Sequence, residues 1–103
     1  ISEEDLQVVR DAMRETALRG TTQSLDLPFV EVASKSGTAE RGVNRSEVNS
    51  WAIGFWPYED PQYAFAVMAE RGPPEYRFAV SRVMTRLLRW MNEQEMDEYF
   101  SGA

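Results

Sequence analysis

Only five residues, Pro57-Tyr58-Glu59-Asp60-Pro61, separate two strand-like segments, and that spacing constrains the fold more than any other feature of the chain. The segments are NSWAIGFW (49–56) and QYAFAVMAE (62–70). A connection this short joins antiparallel neighbours, because a parallel crossover needs a dozen residues or more. Glu59, Asp60 and Pro61 supply turn chemistry, and Pro61 can open a strand. Along 62–70, alternation places Tyr63, Phe65 and Val67 on one face and Ala64, Ala66 and Met68 on the other. Both sets are apolar, which predicts cover on both sides of the sheet.

The hairpin is bracketed by further elements. Residues 3–19 predict a helix, with Leu6, Val9, Met13 and Ala17 at helical spacing. Ser2 caps it, Glu3, Glu4 and Asp5 sit at the positive end of its dipole, and Gly20 ends it. TTQSLDLP (21–28) reads as loop, residues 29–35 as a first strand, and RGVNRSEV (41–48) as a polar loop. After Arg71-Gly72-Pro73-Pro74, residues 75–93 predict a helix with Val80, Val83, Met84, Leu87, Leu88 and Met91 in one apolar stripe. The remaining tail continues briefly and frays. The expected fold is α+β: an antiparallel three-stranded sheet with flanking N- and C-terminal helices. Three strands with two apolar faces leave at least one sheet edge unmet. The chain therefore reads as part of something larger, with self-association through that exposed edge as one consequence.

Composition removes several function classes. At 103 residues the chain is one small domain, able to bury roughly 60–65% of its unfolded surface. Net charge is −6, which argues against a nucleic-acid surface. There is no cysteine and no histidine, so thiol nucleophiles, imidazole bases and the usual zinc ligands are missing and no cofactor or metal is expected. Covalent chemistry would fall to Ser, Thr, Lys or carboxylates. No apolar run approaches the ~20 residues a membrane span needs, and no signal peptide is visible. The first residue is Ile1 rather than Met, which suggests a processed, cut or engineered piece. Trp51, Phe55 and Trp56 read as core and cleft-rim packing rather than a sugar platform, and Met13, Met68, Met84 and Met91 as core. Glu93, Glu95, Asp97 and Glu98 read as a solvated tail.

One tetrad carries chemistry: Lys35-Ser36-Gly37-Thr38. On a strand, Ser36 and Thr38 share a face and Lys35 points to the other. Gly37 lets another backbone approach closely. On an edge strand, free N–H and C=O groups can pair with an extended peptide, and an N–H past the glycine can donate to an oxyanion. A slot for a carboxylate and an exposed strand end running into a turn are both compatible with these four residues.

The order and spacing of the pieces decide more. VRDAMRETALRGT, LPFVEVASKSGTAE, SWAIGFWPYEDPQYAFAVMAERGPP and VSRVMTRLLRWM together resemble the C-terminal part of the penicillin-binding transpeptidase domain, and monofunctional (class B) members most closely. The resemblance covers nearly the whole chain and implies a fragment of the penicillin-binding, serine β-lactamase-like fold. It implies that Lys35 is the third-motif lysine beside the catalytic hydroxyls. It implies that Ser36 and Thr38 bind the carboxylate of a β-lactam or of the D-Ala terminus. Thr38 N–H would be one oxyanion donor, and Gly37 would leave room for the acyl group.

The departure from the family pattern is as informative. No serine is followed three residues later by lysine, and Lys35 is the only lysine. No serine is followed two residues later by asparagine. The nucleophile motif and the second motif are both absent. What the resemblance implies is thus one wall of a D,D-transpeptidase site, inactive alone. Its partners would be a peptidoglycan stem peptide or a β-lactam in the parent, together with the missing N-terminal part of the domain. The parent would be membrane-anchored on the extracytoplasmic face of the bacterial inner membrane. A non-catalytic β-lactam sensor and a protein-interaction domain of the same fold are the alternatives.

Overall fold

Local capping starts the chain as expected. The computed structural model describes residues 1–42, 46–76 and 79–100, with Arg41 and Tyr76 described in backbone only. Helix α1 spans Glu3–Arg19. The Ser2 hydroxyl accepts from Asp5 N–H at 3.1 Å, and three acids occupy the first turn. The Gly20 N–H closes the helix on Thr16 O at 2.9 Å.

The segment expected as loop is more ordered than its composition suggests. A 3₁₀ turn, Gln23–Leu25, leads into β1, Asp26–Leu27, which pairs antiparallel with β2, Val30–Glu31. Pro28 and Phe29 form the two-residue turn between them, and proline's fixed φ favours that chain reversal. The strand expected over 29–35 is therefore two strands. Its first part folds back on β1; its second, β3, runs Ala33–Arg41 straight through the tetrad. Strand β4 covers Glu47–Trp56 and β5 covers Tyr63–Gly72. The expected loop over 41–48 is thus shorter at both ends, and its residues 43–45 lie outside the described ones. Helix α2, Ala79–Glu93, begins later than expected, after a 3₁₀ turn at Pro74–Tyr76. Positions 77 and 78 of the expected helix lie outside the described residues.

The main sheet has the order β3-β4-β5, antiparallel throughout. Pairs such as Ser34↔Gly54↔Phe65 and Ser36↔Ala52↔Val67 define the face beneath the helices. Helix α1 lies against β3, and α2 against β4 and β5. The core joins Ala17, Leu25, Leu27, Val30, Val32, Trp56, Met84 and Leu88, with Phe65, Val67 and Met91 packed against it.

The opposite face corrects the expectation of cover on both sides. Trp51, Ile53 and Met68 are 42%, 47% and 45% exposed. Met68, expected in the core, stands on this open face because alternation puts it opposite Trp51, away from the helices. Two further corrections concern the helices. Val9 on α1 and Val83 and Leu87 on α2 are exposed, because each helix meets the sheet along one flank of a wider apolar arc. The tail, expected to fray, instead folds back as far as Phe100; its residues 101–103 lie outside the described ones. A 3₁₀ turn at Asp97–Tyr99 brings Tyr99 O to Trp56 Nε1, which donates at 2.7 Å, and Phe100 packs on Phe29 with ring centroids 5.2 Å apart.

A polar clasp ties α1 to the β4–β5 connection. Tyr58 donates its hydroxyl to Asp11, and Gln7 Nε2 donates to the same carboxylate oxygen at 2.7 Å. The Tyr58 hydrogen bond, and then that of Gln7, hold the Asp11 carboxyl below its ordinary 3.8. A depressed folded value means that the contribution is present above pH 3.8 and is lost as pH falls through the folded value. Tyr58→Phe is expected to flatten the acid limb of stability below that pH, read by chemical unfolding at a series of pH values.

Two glycines one strand apart separate packing from openness. A Cβ on Gly54 would fall against the Ala33 carbonyl and 2.7 Å from Phe65 Cζ, whereas one on Gly37 would meet only Trp51 Cβ, at 3.9 Å. Gly54→Ala is expected to cost about 1–3 kcal/mol of overpacking, or to prevent folding. Gly37→Ala is expected to be neutral or stabilising by about 0.5 kcal/mol, with both variants read by urea unfolding.

Candidate functional site

Strand β3 is an edge strand. Its inner flank carries the ladder to β4, and no strand lies on its outer flank among the described residues. The tetrad sits in mid-strand, in the register Lys35↔Ile53, Ser36↔Ala52, Gly37↔Trp51 and Thr38↔Ser50. Its extended backbone is fixed on one side only, as strand addition requires.

Alternation splits the four residues between two surroundings. Lys35 and Gly37 lie on the open face, opposite the exposed Ile53 and Trp51. Lys35 pairs with no carboxylate among the described residues; its Nζ donates back to Ser36 O at 2.6 Å. That carbonyl is a stand-in partner that a ligand anion could replace, because ammonium has three donors and a flexible stem. Gly37 and Thr38 are exposed. Together these residues offer a cation, a hydroxyl and uncovered backbone along one rim.

Ser36 faces the helix side and is half-buried. Its Oγ lies 2.5 Å from Thr21 Oγ1. One step along the strand, buried Ser34 Oγ lies 2.5 Å from buried Thr22 Oγ1. Two consecutive threonines just after α1 thus hold two alternate serines of β3. Sequence reasoning took 21–28 as loop and missed both. The signal available was the match between a Thr-Thr step and the Ser34-x-Ser36 alternation, which acquires meaning only once α1 is known to lie along β3.

A cleft of about 440 Å³ opens beside Thr21, lined by Gly20, Gln23, Ser24, Ser81 and Arg82 as well. Beneath it Thr85 Oγ1 lies 2.8 Å from Ser24 O and 2.9 Å from Ser81 O, either of which can accept its proton, and this contact ties the start of α2 to the 3₁₀ turn. Glu40 is exposed at the far end of β3. No cluster of three metal-ligating side chains occurs among the described residues. No described helix is long and apolar enough to cross a membrane.

Comparison with known proteins agrees with this geometry. Peptidoglycan D,D-transpeptidase PbpA of Mycolicibacterium smegmatis is 41% identical over 54 residues, 50% of this chain and 11% of that protein. Its Mycobacterium tuberculosis namesake is 42% identical over 48 residues, 45% of this chain and 10% of that protein. The chain thus spans about a tenth of the length of the curated relatives it matches. Among solved structures, the D,D-transpeptidase domain of a peptidoglycan glycosyltransferase from Eggerthella lenta superposes with a TM-score of 0.58 at 30% identity, covering 79% of this chain and 19% of that one. The family profile described as penicillin binding protein transpeptidase domain matches residues 1–101. With two helices flanking an antiparallel sheet whose edge carries Lys35-Ser36-Gly37-Thr38, the chain belongs to the penicillin-binding protein transpeptidase domain family.

Proposed function

We propose that this chain is the third-motif, C-terminal half of a monofunctional (class B) peptidoglycan D,D-transpeptidase domain. The observation that carries the reading is the tetrad's position on an edge strand with a free outer flank. An acyl-donor peptide can lie along that flank as an added strand, with its terminal carboxylate at Ser36 and Thr38. Lys35 would lie beside the reacting hydroxyl, where its ammonium, a donor only, stabilises the negative charge that develops on that oxygen. Thr38 N–H would donate to the oxyanion of the tetrahedral intermediate. In the parent, a serine attacks the D-Ala-D-Ala carbonyl and releases D-Ala. The acyl group then passes from serine to the amine of a second stem. A β-lactam enters the same site and acylates the same serine.

The chain holds neither a Ser-x-x-Lys nor a Ser-x-Asn sequence, so the nucleophile would come from polypeptide outside it. Two surfaces support such a partner: the outer flank of β5, at the other sheet edge, against which no strand lies among the described residues, and the open face of Trp51, Ile53 and Met68. In isolation the same β5 flank can pair between copies. The relatives' chemistry on peptidoglycan favours a parent that works outside the inner membrane and is anchored to it by a segment elsewhere.

Incubation of this chain with penicillin, followed by mass spectrometry, is expected to show no covalent adduct; a stable mass gain would overturn the reading. In the full-length transpeptidase, Lys35→Ala is expected to slow β-lactam acylation about 100-fold or more, with the thermal midpoint retained. Unchanged acylation would remove Lys35 from the site.

A further inference from the structure

The proposed carboxylate site includes a hydroxyl whose direction is set by a residue outside the tetrad. Ser36 Oγ and Thr21 Oγ1 are 2.5 Å apart, and either can donate. The two arrangements differ in consequence. If Ser36 donates to Thr21, its single proton is spent on the helix side. If Thr21 donates to Ser36, the Ser36 proton is free to turn outward. An ionised carboxylate only accepts hydrogen bonds, so a bound acid selects the second arrangement.

We infer that Thr21 is a positioning residue for carboxylate recognition: it donates to Ser36 Oγ, and Ser36 in turn donates to the acid terminus of the bound peptide or β-lactam. This rests on the reading of Ser36 given above and adds a residue to it. Three features support the relay. Thr21 is exposed at the mouth of the cleft between the end of α1 and the start of α2, so it is not needed to fill the core. Its neighbour Thr22 already anchors α1 to β3 through buried Ser34, so the structural role has its own pair. Consecutive hydroxyls ending on an anion also polarise one another, and each bond strengthens the next.

The test uses the full-length transpeptidase that contains this segment. Second-order acylation rate constants are measured for a β-lactam with a free carboxylate and for its methyl ester, and their ratio reports recognition of the acid. Thr21→Val is expected to lower the acid-to-ester ratio about three- to tenfold, the effect of losing one supporting hydrogen bond. Thr21→Ser is expected to restore it. Thr22→Val is expected to lower the thermal midpoint while leaving the ratio unchanged, which separates anchoring from recognition. An unchanged ratio in Thr21→Val, with a collapsed ratio in Ser36→Ala, would overturn the relay and leave the role of Ser36 standing. An unchanged ratio in Ser36→Ala would overturn both.

Discussion

Everything proposed for this chain depends on β3 being held on one side and free on the other. The β4 ladder fixes its inner flank over nine register pairs, from Ala33↔Phe55 to Arg41↔Glu47. The Thr22–Ser34 and Thr21–Ser36 hydroxyl pairs fix its helix-facing side. Each such bond contributes about 0.5–1.5 kcal/mol net, but the buried Thr22–Ser34 pair also avoids the larger cost of two unsatisfied hydroxyls. A strand secured in this way can expose its outer amides and carbonyls without losing its extended form. That rigidity suits a site that must present several groups to one ligand at once.

The sheet itself is asymmetric. On the helix side it meets small residues, Ser34, Ser50, Ala52 and Gly54, flanked by the larger Trp56, Phe65 and Val67. Small residues let α1 and α2 approach closely, and Gly54 leaves the space that the Phe65 ring fills. The other face carries Trp51, Ile53 and Met68 into solvent. Exposed apolar side chains clustered on one sheet face mark a surface suited to association. The shoulder of α2 repeats the pattern, with Val83, Leu87 and Trp90 outside the core and Val80, Met84 and Leu88 inside it.

Much of the architecture was legible in the residues. The Ser2 cap, the acids after it and Gly20 bounded α1, because capping is a local matter of which backbone groups lack partners. The short connection between them made β4 and β5 antiparallel, because it leaves no room for a parallel crossover. Residue order around the tetrad identified the family, which the profile over residues 1–101 then showed. The errors were of a different kind. Met68, Val9, Val83 and Leu87 all carry core-like side chains and are exposed, while the acidic tail folds back through Tyr99 and Phe100.

The sequence by itself determined the succession of the two long helices and the three strands between them, the antiparallel hairpin, the alternation that separates Lys35 and Gly37 from Ser36 and Thr38, and the absence of a nucleophile motif. Periodicity and connection length are properties of the chain alone, so these conclusions needed no coordinates. Tertiary structure decided which sheet face the helices cover, that β3 is an edge, and that Thr21 and Thr22 clasp its serines. Those facts depend on where distant segments come to rest, and a repeat of two residues says only which side chains share a face.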